Sequence, residues 1–121
     1  MTIEVIKGSY AVCKLSALPQ IPQTSALLSL TVTDNEISMV CEEGLTPPDC
    51  DAEKGFAAMR IADVLDFSLT GILAKISGVL ADVKISIFAV STFDTDYILV
   101  KQKKLQLALE ALQSSGYSIK Q

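Results

Sequence analysis

There is no histidine anywhere in the chain, which removes both the commonest general base and the commonest neutral metal ligand. Cysteine is scarce and badly spaced for chemistry. Cys13, Cys41 and Cys50 are odd in number, far apart and include no C-x-x-C pair, so neither a zinc site nor a disulfide framework is signalled. Cys13 and Cys41 fall in strand-like runs and read as small core residues. Basic residues are outnumbered, 10 against 14 acidic, giving a formal charge of -4 and a pI near 4.6. A nucleic-acid partner usually needs a basic face, and the local cluster of Lys101, Lys103 and Lys104 reads as the solvated start of a helix. No apolar run is long enough to span a bilayer, and Met1-Thr2-Ile3-Glu4-Val5 lacks the basic and long apolar regions of a signal peptide. The expectation is a soluble, cytoplasmic protein with neither a nucleic-acid nor a membrane partner.

What is present is apolar. Half of the 121 residues are hydrophobic and a fifth are charged, a balance that supports a packed core in one ordinary domain or two very small ones sharing it. An enzyme should show a nucleophile with its base, a carboxylate pair in an apolar pocket, a metal cluster or a phosphate loop. None of these stands out. Asp94 and Asp96, two apart, would share a strand face, but in a tight hairpin such residues usually serve the turn. No catalytic residue, metal ligand or cofactor is assigned.

Along the chain, Ile3 to Leu15 reads as one or two strands broken at Lys7-Gly8, and Leu18 to Gln23, with Pro19 and Pro22, reads as irregular loop. Leu27–Val32 and Ile37–Cys41 are β-prone around the turn composition Thr33-Asp34-Asn35-Glu36. Ile37-Ser38-Met39-Val40 echoes Ile85-Ser86-Ile87-Phe88, as a degenerate first copy of one unit would. Residues 43–55, punctuated by Gly44, Pro47, Pro48 and Gly55 and charged by Asp49, Asp51 and Glu53, read as a linker without calcium-loop spacing. Phe56 to Val64 alternates like a strand, with Ala57, Met59 and Ile61 on one side. Leu105, Ala108, Leu109 and Leu112 set a helix over 102–115, closed by Gly116 as C′ and followed by a short strand at Tyr117-Ser118-Ile119.

Residues 65–101 organise the rest. Leu69, Ile72, Leu73, Ile76, Val79, Leu80 and Val83 recur at three- and four-residue steps, predicting a helix over 69–82 with Asp66 or Ser68 as N-cap. Gly71 then falls in the first turn, where glycine costs about 1 kcal/mol against alanine and suggests close approach of a backbone or ligand. A strand over 84–91 ends in the polar knot Ser91-Thr92-Phe93-Asp94-Thr95-Asp96. A helix start supplies amides and the positive end of a dipole for a carboxylate, here at Thr70-Gly71-Ile72. Carbonyls of Ser91, Thr92 and Phe93 with the Asp96 carboxylate suit an ammonium. Together they meet the demands of a free α-amino acid. The alternative is that Asp66 and Ser68 only cap the helix and Thr92 to Asp96 only shape the hairpin.

The Gly71-Ile72-Leu73-Ala74 helix start, the Ile85-Ser86-Ile87-Phe88 strand and the hairpin from Ser91 to Val100 resemble an ACT domain. More narrowly, they are similar to the tandem ACT subfamily that includes small bacterial proteins of unassigned role and the eukaryotic cytosolic arginine sensors. The resemblance implies an α+β, ferredoxin-like βαββαβ fold over 55–121, with two helices on one face of a four-stranded antiparallel sheet, and a degenerate, strand-rich ACT-like half over 1–54. It implies a non-catalytic amino-acid-binding regulator, a homodimer and a separate regulated protein; the alternative is a structural protein that dimerises without a small ligand. Carried over by position, the family's ligand contacts fall on Asp66, Gly71, Ile72, Thr92, Phe93 and Asp96. Leu69 stands where the arginine-sensing relatives carry an acidic residue, which puts arginine specificity in doubt.

Overall fold

The computed structural model describes residues 1–23, 25–66 and 68–121. Its elements are β1 (Thr2–Leu15), β2 (Ser29–Val32), β3 (Ile37–Glu42), a 3-10 turn at Glu43–Leu45, β4 (Asp51–Ile61), α1 (Ile72–Asp82), β5 (Phe88–Ser91), β6 (Asp96–Lys101), a 3-10 turn at Gln102–Lys104, α2 (Leu105–Ser114) and β7 (Ser118–Lys120). They form two compact units, one of Met1–Ile6 with Ala57–Gln121, the other of Lys7–Phe56. Among the described residues no helix is long and apolar enough to cross a membrane.

In the first unit the stripes foreseen from spacing are, apart from Leu69, the faces turned to the core. Ile76 and Leu80 of α1, and Ala108, Leu109 and Leu112 of α2, join Ala57, Met59 and Ile61 of β4 and Ile98 and Val100 of β6 in one core. Full burial of side chains this size is worth about 1.5–3 kcal/mol each, enough to hold two short helices against a sheet that neither would survive without. The core has one further member from the other end of the chain: Ile3 is fully buried in it. Its strand explains why. The start of β1 pairs parallel with β7, Thr2 opposite Ser118 and Glu4 opposite Lys120, and also neighbours β4, so the strands run β7-β1-β4-β6-β5. The expected four-stranded antiparallel sheet is therefore corrected to a mixed one in which a strand from the N-terminus stands between β4 and β7.

Three element boundaries also differ from expectation. The helix begins at Ile72 rather than Leu69, because Asp66 and Ser68 are spent on a turn of their own: Asp66 Oδ1 accepts from the Ser68 amide at 2.8 Å and its carbonyl from Leu69 at 3.0 Å. Neither caps α1. The N-cap is Gly71, at φ 76 and ψ 1, with no side-chain cap. The strand after α1 begins at Phe88 rather than residue 84, because Lys84 and Ile85 close the helix. The Lys84 amide reaches the Ala81 carbonyl at 2.9 Å and the Ile85 amide reaches Leu80 at 3.0 Å, the Schellman pattern. Gly116 and Tyr117 close α2 in the same way, as expected of Gly116, through Gln113 and Leu112 at 3.0 and 3.1 Å.

In the second unit β1 is continuous through Lys7-Gly8; Gly8 absorbs the local twist at φ 107 and does not break the strand. The expected linker is shorter than 43–55, since β4 begins at Asp51 as the neighbour of β1. Tyr10 to Leu15 pair antiparallel with Ile37 to Glu42, and β3 pairs with β2. Ala11, Cys13, Leu15, Met39 and Cys41 form this unit's core, so Cys13 and Cys41 are the small core residues foreseen.

The echo between 37–40 and 85–88 is not the one the backbone repeats. β2 and β3 correspond to β5 and β6 at a constant offset of 59 residues: Ser29 pairs Val40 as Phe88 pairs Leu99, and Val32 pairs Ile37 as Ser91 pairs Asp96. The turns match as well. Thr33 donates its amide to the Glu36 carbonyl at 2.9 Å, and Thr92 does the same to Thr95 at 2.8 Å. In each, the threonine hydroxyl accepts an amide from within its turn. β3 and β6 each run directly into a three-residue 3-10 turn. Beyond these turns the match ends. Where α2 follows in one unit, Pro47 and Pro48 stand in the other, and proline both lacks an amide donor and pushes its predecessor out of the helical region.

Candidate functional site

Three local devices build the site, all in the unit that holds both helices. First, α1 opens at a glycine in the left-handed region, a conformation that costs other residues about 1–2 kcal/mol. A Cβ on Gly71 would meet nothing within 4 Å, so its backbone conformation, not the close approach expected of it, is what calls for glycine. Second, the hairpin 91–96 is braced from within and from below. Ser91 Oγ donates to Asp96 Oδ1 at 2.5 Å, Thr92 Oγ1 to the Thr95 carbonyl at 3.0 Å, and Thr95 Oγ1 to the Ile61 carbonyl of β4 at 2.8 Å. Third, the loop before α1 is tied to the hairpin tip by the Leu65 amide, 2.7 Å from the Asp94 carbonyl.

Between helix start and hairpin lies a cavity of about 350 Å³. The two separated stretches singled out in the sequence meet there. Asp66, Gly71, Ile72, Ser91, Thr92, Phe93 and Asp96 all line it. Ser68 and Thr70 do not. Thr70 instead faces a neighbouring cavity of about 270 Å³ with Lys75 and Tyr117, where the Lys75 ammonium lies 6.0 Å from the Tyr117 ring centre. Leu65, Leu69, Leu73, Ala74, Asp94 and Thr95, none of which the sequence assigns to ligand binding, complete the lining. Leu69, by spacing the first residue of a helical stripe, lies outside the helix and is 51% exposed.

The site's electrostatics follow from its parts. The first four amides of a helix have no intrahelical acceptor, and for α1 these belong to Gly71 through Ala74, one to two residues later than expected. They present a partial positive charge. The lining also holds Asp66, Asp94 and Asp96 and, among the described residues, no lysine or arginine. Asp66 is held below the usual carboxylate range, chiefly by the Ser68 backbone amide and then by its hydroxyl. An ammonium near Asp96 and a carboxylate at the helix amides would both find complementary charge.

Ser91 Oγ meets the Asp96 carboxylate within this lining, a bond that closes the hairpin. Elsewhere, the thiols of Cys13, Cys41 and Cys50 are each pushed up, primarily by burial, which leaves little thiolate for reaction at neutral pH. Among the described residues no group of three or more cysteines and carboxylates is arranged to hold a metal ion.

A family model described as an ACT domain matches residues 51–114, and a second, describing an N-terminal domain, matches residues 8–49. Among solved structures, a protein of Agobacterium tumefaciens is 32% identical, with a TM-score of 0.86, the match covering 98% of this chain and 90% of that one. A Vibrio cholerae protein of unknown function, described as a possible transport protein, is 19% identical with a TM-score of 0.75, over 93% of this chain and 88% of that one. The ligand-free regulatory subunit of aspartate kinase from Thermus thermophilus is 9% identical with a TM-score of 0.69, over 96% and 97%. The last two are likenesses of fold alone. The comparison with curated proteins finds no match.

Proposed function

Because the chain belongs to the ACT domain family, we propose that it is a non-catalytic regulatory module that binds a free amino acid between the start of α1 and the β5–β6 hairpin. The observation that carries this reading is the shared cavity, since it joins a row of helix-start amides to the polar hairpin ending at Asp96. The ligand carboxylate takes the amides of Gly71 to Ala74. Its ammonium takes the Asp96 carboxylate and the hairpin carbonyls of Ser91, Thr92 and Phe93. A cavity of about 350 Å³ is at the small end of the range of roughly 300–1,000 Å³ for ligand sites, a size suited to one amino acid.

Residues 55–121 carry the βαββαβ order of a ferredoxin-like ACT unit, to which Met1–Ile6 adds a strand, and the remainder of residues 1–54 is its degenerate partner. Support for the second statement comes from the 59-residue repeat of strand pairing, turn and 3-10 segment, with prolines standing where the second helix would begin. The module reports ligand occupancy to a separate regulated protein, and assembles as a homodimer. Support for assembly comes from β5, which ends the strand order, since an edge strand offers unpaired backbone groups to another chain.

A thermal-shift screen of the common amino acids tests the reading. A ligand at a hundredfold its dissociation constant adds about 2.7 kcal/mol, several degrees for a domain of this size. If no amino acid moves the melting temperature, the ligand reading fails. The interaction-protein reading would then take over, on the observation that Val64 and Phe93 are 77% and 79% exposed, apolar surface that a protein partner would cover.

A further inference from the structure

We propose that the side-chain subsite of this cavity selects an uncharged, aliphatic amino acid, with Leu65 and Leu69 as its specificity-determining walls; the inference rests on the amino-acid reading above. Charge excludes the first alternative. The lining holds three carboxylates and, among the described residues, no lysine or arginine, so a ligand whose α-carboxylate already takes the helix-start amides would bring a second, side-chain carboxylate to a site with no cationic side chain to meet it.

Charge does not favour a basic side chain either, once each carboxylate is accounted for. Asp66 is turned to its own loop and engaged by the Ser68 amide at 2.8 Å. Asp96, already accepting from Ser91 Oγ, is the partner of the ligand's α-ammonium. Asp94 sits exposed at the hairpin tip, where water screens an ion pair to little net value.

What remains is apolar. Leu65 is half-buried, and Leu69, displaced from α1 by the turn at Asp66, stands 51% exposed at the cavity. Ile72 lines it one turn further on. A leucine side chain left half in water beside a ligand site gains from covering by methylenes, and each buried methylene tightens binding about fourfold.

Isothermal titration of the intact chain with L-alanine, L-leucine, L-lysine, L-arginine and L-glutamate tests this, repeated on Leu69→Ala. Leu69 lies outside the core, so the variant folds, which its unliganded melting curve verifies. The expected result is that leucine binds at least tenfold tighter than alanine, that the three charged amino acids bind more weakly than leucine, and that Leu69→Ala shrinks the leucine-to-alanine ratio several-fold. Tightest binding by lysine, arginine or glutamate, or an unchanged ratio in the variant, overturns this subsite while leaving the amino-acid reading intact. Failure of every amino acid to bind overturns that reading and the subsite with it.

Discussion

Lys84 at the end of α1 occupies the same backbone position that Gly116 occupies at the end of α2: both are C′ residues in the left-handed region, at φ 61 and φ 102, and both donate to the carbonyl three residues back. One helix thus ends on the residue suited to that conformation and the other does not. The misfit is tolerated because the next residue, Ile85, is buried in the core with Leu80, and that contact requires the chain to reverse at Lys84. The left-handed conformation costs a non-glycine residue about 1–2 kcal/mol, partly offset by the greater unfolded-state freedom of glycine. Lys84→Gly should therefore stabilise the protein by about 0.5–1 kcal/mol, while Gly116→Ala should destabilise it by about 1 kcal/mol. Urea unfolding of both variants checks the pair, and equal effects of one sign would contradict it.

Two threonines in matched turns should differ in what they contribute. Thr95 Oγ1 reaches out of its hairpin to the Ile61 carbonyl of β4, whereas Thr33 Oγ1 bonds to Asn35 and Glu36 within an exposed turn. Replacing Thr95 by valine keeps the shape and leaves a partly buried carbonyl without its donor, a loss of about 1 kcal/mol. Thr33→Val should cost less than half of that. Chemical denaturation of the two variants under one condition compares them.

Acid should act through Glu4. Its Oε1 lies 2.7 Å from Arg60 Nε, and that hydrogen bond, ahead of every other influence, holds the carboxyl below the ordinary glutamate value. A depressed folded pKa contributes stability that is complete above the unfolded pKa, roughly 4.3, and is lost as the pH falls through the folded one. The stability difference between the wild type and Glu4→Gln should accordingly be present at pH 7 and vanish in strong acid. Urea midpoints measured from pH 7 to pH 3 would show the two curves converging; parallel curves would mean that the pair contributes nothing.

Asp96→Asn separates fold from binding. Asparagine retains an oxygen to accept from Ser91 Oγ, so the unliganded melting temperature should barely move. It removes the charge opposite the ligand ammonium, and a hydrogen bond to a charged group is worth about 1.5–3 kcal/mol, or roughly ten- to a hundredfold in affinity. Titration with the best amino acid from the thermal screen provides the measurement.

By itself the sequence determined whatever depends on neighbours a few residues apart. The helical stripes through Ile76 and Leu80 and through Ala108, Leu109 and Leu112, the alternation of Ala57, Met59 and Ile61, the turns at Thr33 and Thr92 and the C′ glycine at 116 are local patterns with a direct conformational cause. The two halves of the cavity were legible for the same reason, as a helix start and a polar hairpin. The tertiary structure decided what depends on backbone pairing over long separations, because main-chain hydrogen bonds leave no mark in side-chain chemistry. Only the pairing of Thr2 with Ser118 places β1 between β4 and β7, and only strand register reveals the 59-residue repeat. The site's remaining error has one physical origin. Leu69 fits the helical period, but the Asp66 turn and the left-handed Gly71 delay the helix by three residues. That delay converts a leucine expected in the core into an exposed wall of the cavity.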